Sequence, residues 1–288
     1  MSLRRIALIG FGEVGQTLAA DLARVGAPDI AVWDTAFDQV DSLPSRALAE
    51  HRVRAASGAA DAVRGAQLVI SAVTAAQDQE AARAAAPGLE PGAFFLDLNS
   101  CSPGQKLASA KIVEAAGARY VEAAVMSPIH PRNIAAPMLL GGAHAKDFLV
   151  AAAGLGFDGA RVYSDEIGRA AATKLCRSVM IKGVESLLAE SMRAARHYGV
   201  EQEVLDSLSD LLPLPDWNGT ARYMISRSLE HGARRAEEMR EAARTVAEAG
   251  VEPLMSEATA RSQAWAGEHK AALSPDLADM LDAIKSVR

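Results

Sequence analysis

The sequence is short of cysteine, of surplus positive charge and of long apolar runs, and each shortage removes a class of protein. Cys101 and Cys176 are the only cysteines in 288 residues. They are too few and too far apart for a disulfide framework or a zinc site, so a reducing cytoplasm is the expected setting. Acidic side chains outnumber basic ones by 36 to 30, a net charge of −6, so the basic surface needed for general nucleic-acid binding is missing. No uninterrupted apolar stretch approaches the ~20 residues of a membrane-spanning helix. The amino-terminal MSLRRIALIGFG imitates a secretory signal, but the imitation ends at its glycines and Glu13. There is no internal repeat and no low-complexity linker. Hydrophobic residues at 50% and charged residues at 23% give an ordinary globular balance, long enough for about two domains.

The strongest signal is residues 6–15, IALIGFGEVG. A short apolar run meets Gly10-Phe11-Gly12-Glu13-Val14-Gly15, a G-x-G-x-x-G loop between a buried strand and an amphipathic helix carrying Val14, Leu18, Leu22 and Val25. In a dinucleotide site the first glycine permits the tight turn, the second lets backbone approach a pyrophosphate, and the third lets the helix pack on the strand. Free N–H groups at the helix start then face the phosphates. A second apolar run, Ile30-Ala31-Val32-Trp33, ends in Asp34, about 20 residues on, where an acid accepts hydrogen bonds from the ribose.

Short strand-like runs at 5–10, 29–33, 67–73, 92–98, 118–125 and 159–163, with shorter ones at 136–141 and 52–55, alternate with Ala-rich helical stretches at 13–26, 43–50, 58–64, 77–86, 104–116 and 145–154. That alternation predicts an α/β fold, a doubly wound sheet over residues 1–164. From 165 to 288 only helices are expected, at 168–198, 201–211, 218–230, 231–249, 253–267 and 275–286. Gly199, Gly250, Pro213, Pro215, Pro253 and Pro275 mark the ends.

Three further clusters carry chemistry. Val73 and Thr74 close one strand at the carboxyl edge, where ligands of open α/β sheets bind, and are expected to line the cofactor. Asn99, Ser100 and Cys101 follow the strand Phe94–Leu98 at the same edge, ahead of Ser102-Pro103, a helix cap with proline at the first helical position. Lys174 begins a helix face continued by Ser178, Ile181 and Glu185, with Arg177 beside it. Among the small and apolar residues 169–176 its ammonium would be partly desolvated and able to exchange a proton with a hydroxyl.

In this order the motifs resemble the β-hydroxyacid dehydrogenase superfamily, over nearly the whole chain. Gly10–Gly15 resembles its glycine loop, Asp97–Ser102 its D-x-S-T substrate loop, Val121–Pro128 its D-A-P-V-S-G-G segment, and Gly168–Ser178 its G-x-x-x-x-x-K-x-x-x-N with the catalytic lysine at Lys174. RSVMIKGVESLL and HGARRAEEM resemble a poorly characterised branch with a carboxyl-terminal domain of unknown function. The resemblance implies a Rossmann domain, an all-helical substrate and dimerisation domain, and NAD, with NADP also compatible. It implies contacts to the cofactor from the glycine loop, Asp34, Val73, Thr74 and Asn99, and to the substrate from Ser100, Cys101, Met126, Ser127 and Ser178. The chain departs from the family pattern at Met126, Ser127 and Pro128, at Ser178, and at Glu237 and Glu238. His130, Arg132 and Arg177 are the substitute cations for a substrate carboxylate. The expected protein is a homodimeric NAD(P)-dependent oxidoreductase for a small hydroxy acid or related carbonyl compound. Imine reduction on the same fold and non-catalytic dinucleotide binding are the alternatives.

Overall fold

The computed structural model describes residues 3–26, 29–211 and 215–285. Pro213 and Ser286, used above as a helix break and a helix end, lie outside the described residues. The strands are β1 (Arg5–Ile9), β2 (Asp29–Trp33), β3 (Arg54–Ala55), β4 (Leu68–Ser71), β5 (Phe94–Asp97), β6 (Arg119–Val125), β7 (Met138–Gly141) and β8 (Ala160–Ser164). The helices are α1 (Glu13–Arg24), α2 (Leu43–Ala47), α3 (Ala59–Val63), α4 (Asp78–Ala85), α5 (Pro103–Ala115), α6 (Ala145–Ala151), α7 (Arg169–Tyr198), α8 (Glu201–Leu211), α9 (Trp217–Glu248), α10 (Leu254–Glu268) and α11 (Leu277–Lys285). Among the described residues no helix is long and apolar enough to cross a membrane.

The chain divides into two compact units, residues 1–174 and 175–288. In the first, one sheet runs β3-β2-β1-β4-β5-β6-β7-β8. The first six strands are parallel in the Rossmann order, while β7 turns antiparallel to β6 and β8 follows β7. The apolar runs are continuous because both sheet faces are covered. Ile6, Leu8, Ile70, Leu96 and Val121 enter one core, and Ala7, Ile9, Val69, Phe95 and Tyr120 the other.

The division falls inside α7 because the first turn of that helix is tied to β6. Glu122, fully buried, accepts N–H bonds from Gly168 (2.7 Å) and Ala171 (2.5 Å), and Gly141 leaves room for that carboxylate. In the second unit α7 to α11 surround a core that includes Leu188, Met192, Trp217, Leu229 and Met280. One expectation fails here. The helices expected at 218–230 and 231–249 are the single helix α9. Gly232 does not end it but brings α9 against α10, where a Cβ would overlap the backbone of Gln263 and Gly267.

Candidate active site at the carboxyl edge of the sheet

Strand register decides what can meet at the edge. Trp33, Ile9, Ser71 and Asp97 are in register across β2, β1, β4 and β5, so Asp34, Gly10, Ala72 and Leu98 leave the sheet side by side. The strand order reverses direction between β1 and β4, the place where dinucleotides bind in such sheets.

Each glycine of the loop has its own physical reason. Gly10 has φ +91°, and a Cβ there would overlap the Ala72 carbonyl, so it is both turn and close contact. Gly15 faces the Gly10 carbonyl just as closely. Gly12 has nothing within 4 Å of its Cβ position and caps α1 with no side-chain hydrogen bond. That open approach and the uncapped first-turn N–H groups fit a pyrophosphate. Asp34, at the end of β2 beside this loop, accepts from Phe11 N (2.7 Å) and Ala36 N (2.9 Å). Glu13 is exposed, with His130 Nε2 3.9 Å from its carboxylate.

Two residues expected to touch the cofactor are otherwise engaged. The Phe11 ring is fully buried, edge-on to Phe37 and His51, and its N–H belongs to Asp34, so Phe11 anchors the loop. Asn99 is buried and its amide is committed: Oδ1 accepts from Val73 N (2.7 Å), while Nδ2 donates to Ser71 Oγ (2.9 Å) and Asp78 Oδ1 (2.7 Å). It ties the ends of β4 and β5 together. Val14 is half-buried against the core. Val73 lies beside Gly10 and Thr74 is exposed.

The substrate candidates also separate. Lys174, on the second turn of α7, donates from Nζ to Ser100 Oγ at 2.6 Å. The two residues, 74 positions apart, therefore meet just beyond β5. Cys101 is not an edge group; it is fully buried, with Sγ 3.8 Å from the Ala75 carbonyl. Met126 packs on Ala124, Leu139 and Ala170, and Ser127 Oγ bonds the Pro128 carbonyl at 2.9 Å. His130 bonds Asn133 through Nδ1 at 2.9 Å, beside α1, and Arg132 is exposed in the following turn. Arg177, exposed, and Ser178, half-buried, belong to the second unit.

Beneath the edge lies a buried polar hub of which the motifs contain Asp97 but not its partners Lys106, Tyr120, Asp78 and Ser109. Lys106 Nζ is 2.8 Å from Asp97 Oδ1 and Tyr120 donates to Asp97 Oδ2 at 2.5 Å. Ser109 donates to Asp78 Oδ2 at 2.6 Å. All five are at most 2% exposed. Burial pushes the Asp97 carboxyl up to about 7, outweighing the pull of Lys106. Burial also works against the Lys106 ammonium, but the charges of Asp97, Cys101 and Asp78 outweigh it and hold the group above its ordinary value. Burial and Asp97 raise the Tyr120 phenol well above its usual range. The available signal was register: Lys106 and Ser109 share the helical face of Ala110 and Val113, and Glu122 stands inside a buried strand. Among the described residues no group of three or more His, Cys, Asp or Glu could hold a metal ion.

Comparison with known proteins agrees with this geometry. Residues 5–151 match the family described as the NAD binding domain of 6-phosphogluconate dehydrogenase, and residues 195–266 match a domain of unknown function, DUF1932. A conserved hypothetical protein from Sinorhizobium meliloti 1021 is 34% identical, covering 98% of this chain and 96% of its own, with a TM-score of 0.76. Mycobacterium tuberculosis 3-hydroxyisobutyrate dehydrogenase, solved with L-serine, is 19% identical over 99% and 100%, TM-score 0.74. A reductive aminase from Aspergillus terreus, in complex with NADPH and ethyl levulinate, is 19% identical over 100% of both chains, TM-score 0.57. The search of curated proteins found no match.

Proposed function

The chain belongs to the family of the NAD binding domain of 6-phosphogluconate dehydrogenase, and from that premise we propose that it is a nicotinamide-dependent dehydrogenase or reductase for a small hydroxy acid or the corresponding carbonyl compound, with Lys174 as general acid and base. The observation that carries this reading is the 2.6 Å hydrogen bond from Lys174 Nζ to Ser100 Oγ at the carboxyl edge. The bound nicotinamide supplies or accepts hydride. Lys174 handles the proton: it protonates the carbonyl oxygen as the carbon is reduced, and takes the proton from the hydroxyl in the reverse direction. Ser100 fixes the direction in which Nζ points. The hub under Ser100 keeps water from its supporting loop and holds the loop in one conformation.

The test is a screen of hydroxy acids, aldehydes and imines, read by nicotinamide absorbance with both cofactors, followed by Lys174→Ala. Turnover should fall by about 10²–10⁴, the range of general acid–base catalysis, with NAD affinity unchanged because the glycine loop holds the cofactor. Lys174→Arg should rescue poorly, since guanidinium holds its proton too tightly to act as a base. A folded Lys174→Ala enzyme keeping more than about a tenth of its turnover removes Lys174 from the mechanism. Activity confined to imines replaces the hydroxy-acid assignment.

The same reading makes the protein a homodimer. Met180, Val184 and Leu187 form an apolar stripe on α7 and are 67%, 40% and 56% exposed, whereas Leu188 and Met192 on the same helix are core. Such a stripe is costly to leave in water. Light scattering at micromolar concentration should give a dimer that Leu187→Glu dissociates; a monomeric unmodified protein overturns this assignment.

A further inference from the structure

Within the helical unit, α9 and α10 meet backbone to backbone at Gly232 and Gly267. Toward Pro253 the same two helices line a cavity of about 500 Å³. Its floor is alanine, including Ala243 and Ala260, and three guanidinium groups border it, from Arg240 and Arg244 on α9 and Arg261 on α10, against one carboxylate, Glu257.

Several arginines of this unit are matched with acid, while Arg193 stacks on the Trp265 ring. Arg196 bridges Glu201 and Asp282, Arg234 meets Glu238, and Arg235 meets Glu185. At the cavity, Arg244 reaches Glu241 at 2.7 Å. Arg240 and Arg261 are exposed and form no ion pair with any carboxylate among the described residues, although Glu257 stands one turn from Arg261. A chain of net charge −6 thus gathers positive charge around one concavity.

We infer that this α9–α10 cavity binds a small polyanion, a metabolite bearing two or more carboxylate or phosphate groups. The volume lies within the range of small-molecule sites. Guanidinium forks match both anion types in two-point geometry, and the alanine floor suits a short carbon skeleton. The site is built from the helical unit alone and does not depend on the proposed redox activity.

The experiment is calorimetric titration of the full chain with citrate and, separately, with inorganic pyrophosphate, at fixed ionic strength and with saturating NAD to block the glycine loop. One probe or both should saturate at one site per chain; the stronger identifies a carboxylate or a phosphate ligand. The double variant R240Q/R261Q should weaken binding about tenfold or more without changing the melting temperature of the unliganded protein. Arg54→Gln, which removes a surface ion pair of the first unit, should leave binding unchanged. Absence of saturable binding, or binding that the double variant retains, overturns the inference. So does a double variant that becomes monomeric while neither probe binds the unmodified protein, since the cavity is then covered by a second copy.

Discussion

In the first unit most of the buried charge is gathered into one hub; in the second it is spread along a helix pair. Asp97, Lys106, Tyr120, Asp78, Ser109 and Asn99 come from five places in the chain and converge under the loop that carries Ser100. In the helical unit Lys182 meets Glu238 and Arg235 meets Glu185, two bridges across α7 and α9. There the Arg235 Nε and Gln263 Oε1 atoms stay without a partner. A hub constrains one loop from many sides, as preorganised chemistry requires, whereas a row of bridges fixes the register of two helices.

Removing one partner from each arrangement puts that distinction at greatest risk. Lys106→Met strands Asp97 in the core and Arg235→Met strands Glu185. Each should cost about 3–5 kcal/mol in urea unfolding, as expected when one member of a buried pair is lost. Only Lys106→Met should also lower turnover, because only the hub supports Ser100. Equal loss of turnover in both variants ends the contrast. The hub has a pH signature as well. Asp97 at about 7 lies above the ~4 of an unfolded chain, so between these values the native state binds the proton more tightly and stability falls as pH rises. Asp97→Asn should remove this slope, at most about 1.4 kcal/mol per pH unit. Lys106, held above its ordinary value, keeps its stabilising charge through this window and loses it only at higher pH. An unchanged slope in Asp97→Asn places the titration elsewhere.

A smaller effect separates fold from ligand inside the glycine loop. Gly15→Ala would press a Cβ into the Gly10 carbonyl and should cost about 1–3 kcal/mol, seen as a lowered melting temperature. Gly12→Ala meets nothing within 4 Å, so the melting temperature should hold while NAD affinity falls. Equal destabilisation by both would mean that Gly12 is a packing glycine.

The loop was legible in the sequence because its six residues are contiguous and each glycine answers a local demand. Asp34 was legible because the length of a βαβ unit is nearly fixed. Lys174 was singled out by its helix face among small residues and Ser100 by its place at the carboxyl edge, with the resemblance added to both, while the start of α7 is held by Glu122 through a contact 46 residues long. The hub was hidden for the same reason: Asp78 bonds Asn99 and Ser109, and Tyr120 bonds Asp97, each from more than 20 residues away, so no local pattern joins them. The inward turn of the Asn99 and Cys101 side chains was not legible, because a residue leaving a strand end can turn to the edge or into the core, and the deciding partners, Asp78 and Ala75, lie more than 20 residues away. The break expected between 230 and 231 does not occur because Gly232 admits a neighbouring helix to the middle of α9 and does not end it.

Cofactor choice is the finest test of what the edge residues do. Asp34 already accepts from Phe11 N and Ala36 N, an arrangement that keeps its carboxylate in place at the end of β2. A 2′-phosphate there would meet that negative charge, and the residues that follow, Thr35, Ala36 and Phe37, include no arginine to offset it. NAD should therefore give the higher kcat/KM. Asp34→Ser removes the charge but retains a short acceptor for Phe11 N, so the ratio of NAD to NADP efficiency should drop by about tenfold, chiefly through KM. Native efficiency with NADP equal to or above that with NAD would show that Asp34 serves the loop and not the ribose, as Phe11 and Asn99 serve structure beside it.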